Sequence, residues 1–188
     1  MVKKITILFV LISILSCKTE LSKEEEQAFI SKGKEITQAS FKELSSNLMK
    51  QMKLGGPVQA VPFCNHEAMP ITNKMAEKFK VTIKRTSDKI RNPKNKASVR
   101  ELEIINKYQY LLNQGEELTP IVELDKNNQK HYFAPIQLNS KCLTCHGKLE
   151  EKLSVKTDSL IKSFYPNDKA IGYTEGDLRG IWSIAFKN

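Results

Sequence analysis

Hydrophobic and polar positions along the 188-residue chain sort into stretches of helical period and stretches of strand period. Leu21–Lys53 reads as one long helix. Ser22 and Glu25 stand three apart as a capping-box pair at its start, and Gly55-Gly56 stops it. Its charges are plentiful and its heptad pattern is poor, which favours packing on its own domain over pairing with another chain. Pro57 suits the first turn of a second helical stretch through Cys64 to Phe79, with interruptions expected at Pro62 and Pro70. Lys80–Ser87 alternates like a strand, Ile90–Asn95 is rich in turn residues, and Ala97–Gln114 is an amphipathic helix. Leu118–Asp125 and Lys130–Leu138 pair as a hairpin around Lys126-Asn127-Asn128-Gln129. A shorter helix near Leu149–Phe164, a loop of turn residues and a last strand, Arg179–Phe186, complete the order. Three or four mostly antiparallel strands with helices packed on one side make an α+β fold. No internal repeat or low-complexity linker divides it.

The first residues follow a different pattern. Lys3 and Lys4 precede the apolar run Ile5–Leu15, which is shorter than the roughly 18 residues a spanning helix needs. A short charged region, an apolar run and small residues are the marks of an export signal. The run ends Ile14-Leu15-Ser16-Cys17 and resembles the lipobox of bacterial lipoproteins. That resemblance implies a leader of residues 1–16, acylation of Cys17, and a single domain of residues 17–188 anchored to a membrane in the cell envelope. Loss of Lys3 and Lys4 lowers the formal charge from +9 to +7. Lysines and acids are interleaved, so the basic excess reads as a solvated surface rather than a nucleic-acid interface. Attraction to anionic headgroups beside an acyl anchor is compatible with it.

Export changes the meaning of the cysteines. There are four: Cys17, Cys64, Cys142 and Cys145. With Cys17 acylated three remain, and an odd number cannot all pair as disulfides. The stretch Ser140–Leu149 holds Cys142, Cys145 and His146 in C-x-x-C-H spacing, the signal of covalent haem attachment. In that reading Cys142 and Cys145 form thioethers, His146 binds the iron from one face, and Cys64 is free to bind the other. A zinc site built with Cys64 and His66 is a competing reading. So is a disulfide oxidoreductase, which leaves Cys64 and the placement of His146 unexplained. His66, His131, Met69 and Met75 are further candidates for the second axial ligand. Around a helix His66 lies roughly 200° from Cys64, so the two cannot reach one iron together.

The stretches Ile83–Ile105 and Tyr165–Ile184, together with the C-x-x-C-H-G motif, resemble a bacterial family of exported or membrane-bound c-type haem proteins. The resemblance rests on Arg85-x-Ser87, Arg91-Asn92-Pro93-x-Asn95 and Tyr165-Pro166-x-Asp168. It implies a PAS-like domain with one covalent haem c, whose iron is held by His146 and Cys64. Arg85, Arg91 and Asn95 are the candidates to answer the haem propionates, because arginine offers paired donors to a carboxylate. Tyr108 and Tyr165 are candidates to add hydroxyl donors, and Asp168 and Asp177 read as turn stabilisers. Iron with both axial positions filled argues against an enzyme of peroxidase or oxygenase type. The expected role is redox or gas sensing with an envelope partner. A low-potential electron carrier, or a haem-stabilised binding module, is the alternative.

Overall fold

The computed structural model of the protein describes residues 20–187; the leader and Cys17 lie outside them. Helix α1 spans Lys23–Gly55. Its capping box is formed: the Ser22 hydroxyl accepts the Glu25 N–H at 3.2 Å, and the Glu25 carboxylate accepts the Ser22 N–H at 2.9 Å. Gly56, at φ +63°, closes α1 and opens α2 (Pro57–Phe79), so the whole turn is one residue in a conformation that favours glycine. The interruptions expected at Pro62 and Pro70 do not occur. Each proline removes one intrahelical N–H, and the helix persists because α2 is packed along α1, β1 and α5, which outweighs local propensity.

The remaining elements are β1 (Val81–Thr86), α3 (Val99–Asn113), β2 (Ile121–Leu124), β3 (Lys130–Gln137), α4 (Leu143–His146), α5 (Val155–Phe164) and β4 (Leu178–Phe186). A second capping box, Ser98 with Glu101, starts α3. Helix α5 begins six residues later than its apolar pattern suggests. Ser154 caps it at Thr157, while Glu150 and Leu153 close a turn before it. The four strands are antiparallel in the order β1-β4-β3-β2, so β4 and β3 fill the centre and β1 and β2 form the edges.

Helices cover both faces of this sheet, not one. Val81, Ile83, Tyr132, Ala134, Trp182, Ile184 and Phe186 point to the face covered by Ile36 of α1 and Met75 of α2. Phe133, Leu178 and Ile181 point the other way, onto Ile104, Ile105 and Tyr108 of α3. The reason is in β3 and β4, where neighbours such as Tyr132-Phe133 and Ile181-Trp182 are apolar on both alternations. Gly33 lets α1 approach closely, since a Cβ there would lie 2.2 Å from the Tyr132 ring. Beyond the ends of the strands, α5 and the segment before it pack against α2 through Val61, Leu153, Ile161 and Tyr165, a small separate core. Among the described residues no helix is long and apolar enough to cross a membrane.

Candidate functional site

The Cys142–His146 segment is two successive tight turns. Asn139 starts the first, its Oδ1 accepting the Lys141 N–H at 3.0 Å and the Cys142 thiol at 3.4 Å. Cys142, Cys145 and His146 therefore sit at i, i+3 and i+4 around α4, which puts them on one side. The Gly147 N–H caps the turn on the Leu143 carbonyl at 2.8 Å. A Cβ at Gly147 would lie 2.5 Å from that same oxygen, so the residue after the histidine has no room for a side chain.

His146 is fixed by its surroundings. Its Nδ1 lies 2.7 Å from the Ala170 carbonyl, which can only accept, so Nδ1 carries the proton and Nε2 keeps its lone pair. Burial, then the charges of Arg91 and Arg179, hold its pKa well below the ordinary histidine value. The ring is neutral at neutral pH, the form that binds metals. The loop that supplies Ala170 also donates the Tyr173 N–H to the His146 carbonyl and the Gly172 N–H to the Gly147 carbonyl, both at 3.0 Å. The Tyr173 ring meets the imidazole edge-on at 6.3 Å.

Cys64, on α2, belongs to the same region. Burial raises its thiol pKa first and Cys145 raises it further, while Arg85 and Arg91 lower it. Cys64, Cys142 and Cys145 are all free and half-buried, and Cys145 packs on the core that contains Val61, one turn before Cys64. The other candidates fall away from this region. His66 is exposed, with its ring 6.4 Å from that of Phe164. His131 sits at the hairpin end of β3, 3.4 Å from Asp125 and stacked along Phe133. Met75 is buried in the core between α1, α2 and the sheet. Among the described residues no three His, Cys, Asp or Glu side chains gather closely enough to hold a metal ion, so the zinc set with His66 is not assembled.

Arg85 projects from β1 beside its partner Trp182 on β4, its guanidinium 6.0 Å from the indole, and its Nε is buried without a partner. Burial lowers its pKa; Cys64, Arg179 and Tyr165 are the charges it feels. Arg91 is more committed than the sequence suggests. Its Nη2 donates to the Cys145 carbonyl at 2.6 Å, to Asp168 at 3.0 Å and to the Ala170 carbonyl at 3.2 Å, while Nε is buried and unpartnered. The Asn95 carbonyl accepts the Thr86 hydroxyl at 2.9 Å, bracing the loop to β1. Tyr108 lies on the opposite face of the sheet, its hydroxyl donating to the Thr119 and Phe133 carbonyls, and is no part of this site. Tyr165 is buried close enough to feel Cys64, Arg91 and Arg85. Asp168 and Asp177 do stabilise turns, accepting the Ala170 and Thr174 N–H groups. Arg179 and Tyr173 escape the sequence reading.

These features define a small α+β domain in which a C-x-x-C-H turn, a distant cysteine and a set of arginines surround one site. The chain belongs to the Tll0287-like family, whose model matches residues 18–186. The fold is similar to that in the crystal structure of the cyanobacterial heme-protein Tll0287, with a TM-score of 0.61 and 22% identity, over 89% of this chain and 98% of that one. At that identity the likeness speaks for the fold. Among curated proteins none gives a significant match.

Proposed function

We propose that the chain is a single-haem protein of the cell envelope, with haem c joined through Cys142 and Cys145 and its iron held by His146 and Cys64, working as a redox or gas sensor. One observation carries the proposal: a neutral imidazole with Nδ1 held by Ala170 at 2.7 Å and Nε2 free, beside two free thiols at C-x-x-C spacing. The residues present fit the group. Arg85 and Arg91 each keep a buried Nε without a partner, as donors awaiting carboxylates would. The description of the similar fold as a heme-protein supports the cofactor, and the strand order β1-β4-β3-β2 agrees with a PAS-like domain.

Bound there, the haem would supply an iron centre that changes oxidation state and whose cysteine ligation favours the ferric form. The chain's part is to decide whether Cys64 stays a ligand. Burial and Cys145 oppose a negative charge on Cys64 more strongly than Arg85 and Arg91 favour it, so the chain alone holds Cys64 as a neutral thiol and its ionisation would depend on the iron. Reduction of the iron would remove one positive charge facing Cys64 and so would favour its neutral thiol, on a helix that packs against α1 and β1. The proposal assigns no catalytic residue. An N-terminal acyl anchor on Cys17 and an envelope partner that reads the signal complete it. A second reading is favoured by the unbroken α2, which offers no hinge at Pro62 or Pro70. It is a membrane-anchored, low-potential electron carrier that keeps both ligands.

Absorption spectra of the oxidised and reduced protein, with and without carbon monoxide, test both. Protein made in cells that mature cytochromes is expected to carry haem that acid solvent cannot extract, and Cys142→Ala/Cys145→Ala to release it. Cys64→Ser should keep the haem and lose thiolate absorption. Carbon monoxide binding on reduction selects the sensor, and its exclusion selects the carrier. A colourless protein holding zinc or nothing ends the proposal.

A further inference from the structure

We propose that Arg179 and Tyr173 complete, with Arg85 and the Nε edge of Arg91, a recess that binds carboxylates, and that its occupant is the pair of haem carboxylates. The assignment rests on the haem reading above. Three polar atoms here are buried without a well-formed hydrogen bond: Arg85 Nε, Arg91 Nε and the Tyr173 hydroxyl, the last with Ser87 and Arg179 beside it. Tyr173 is only 5% exposed, so water does not satisfy that hydroxyl from outside. All three can donate.

Arg179 joins them because β4 is irregular at this point. Ile136 pairs with Gly180 and Gln137 with Leu178, so Arg179 is the extra residue of a bulge. Leu178 and Ile181, three apart, both enter the α3 core, which breaks the alternation and turns Arg179 away from α3. Its guanidinium lies 5.7 Å from the Tyr173 ring. Burial lowers its pKa, and the charges it feels include Tyr173, Arg91 and Asp168, which locates it in the same cluster.

The charges do not balance. Asp168 is the buried acid here, its side chain 1% exposed, and it is already shared between Arg91 and the Ala170 N–H. Asp88 is exposed and accepts from Ser87. Three guanidiniums share one buried carboxylate, with Asp88 acting on Arg179 from the surface, so positive charge is left over, and leaving it unanswered where water is scarce is costly. A group with two carboxylates answers that surplus, and the guanidinium fork matches carboxylate geometry.

The test uses the full chain with Cys142→Ala/Cys145→Ala, so that haem binds without a covalent link, titrated by absorbance with haemin and with haemin dimethyl ester. Adding Arg179→Gln is expected to weaken haemin about tenfold, the worth of a charged hydrogen bond, and to leave the diester unchanged. Arg179→Lys should restore part of the loss, and Tyr173→Phe should show a smaller loss for haemin alone. If Arg179→Gln fails to fold by circular dichroism, the Arg179→Lys and Tyr173→Phe ratios decide. Unchanged haemin affinity, or equal weakening of haemin and diester, overturns the assignment while the haem reading stands. A protein that binds neither porphyrin overturns both.

Discussion

Arg91 binds three acceptors through one nitrogen and so ties three segments together: the loop after β1, the carbonyl of Cys145, and the Asp168–Ala170 turn that orients His146. The Asp168 carboxylate is almost wholly buried at the centre of this clamp. Removing one partner of a buried ion pair leaves the other charge unanswered, which costs about 3–5 kcal/mol. The Ala170 N–H still satisfies one Asp168 oxygen, so Arg91→Met should fall near the lower figure, a fall in Tm of about 6–12 °C for a chain of this size. Asp168→Asn added to Arg91→Met should recover part of that loss in a thermal-unfolding cycle. Additive losses would mean the two side chains act separately. At this scale the sequence was informative only where spacing carries chemistry. Cys142, Cys145 and His146 are legible because two adjacent turns present them together. Tyr108 is not legible in this way, because a side chain's type does not say which face of the sheet it meets.

The elements owe their ends to local chemistry and their faces to packing. Both capping boxes and the Gly56 turn are written in consecutive residues. The contact of α1 with the sheet depends on Gly33, where a side chain would enter the Tyr132 ring. Alanine is the better helix former by about 1 kcal/mol, whereas overpacking a buried site costs about 1–3 kcal/mol. Tyr132 is a large ring, 1% exposed, with nowhere to move. Gly33→Ala should therefore destabilise, by on the order of 2 kcal/mol in urea unfolding. A more stable variant would mean that α1 can lift from the sheet without loss. The same packing explains why Pro62 and Pro70 leave α2 whole: neighbours on three sides hold a helix that its own sequence would interrupt.

At the scale of the whole molecule, the face of the sheet under α3 is joined to β1 by Lys84 and Glu101, 2.7 Å apart. Burial pushes the Glu101 carboxyl up, but Lys84, the Ser98 N–H and the Ser183 hydroxyl outweigh it and bring the pKa below the ordinary glutamate value. The folded protein thus binds this proton less readily than the unfolded chain. The resulting stability is present above the unfolded value, about 4.3, and is lost as pH falls through it toward the folded value. Glu101→Gln should be less stable at pH 7 and should lose less than the native chain between about pH 5 and 3. Parallel curves of unfolding free energy against pH would remove Glu101 from the account.

The sequence by itself determined the elements, the antiparallel α+β class, and the turn that presents two thiols and an imidazole, because periodicity, caps and short spacings act over a few residues. Only the tertiary structure decided that helices cover both faces of the sheet, that α2 runs unbroken, that Cys64 on the second helix comes within electrostatic reach of Cys145 on the fourth, and that a bulge turns Arg179 away from α3. Those outcomes depend on contacts between segments far apart in the chain, where burial and charge are set by neighbours that no local pattern names.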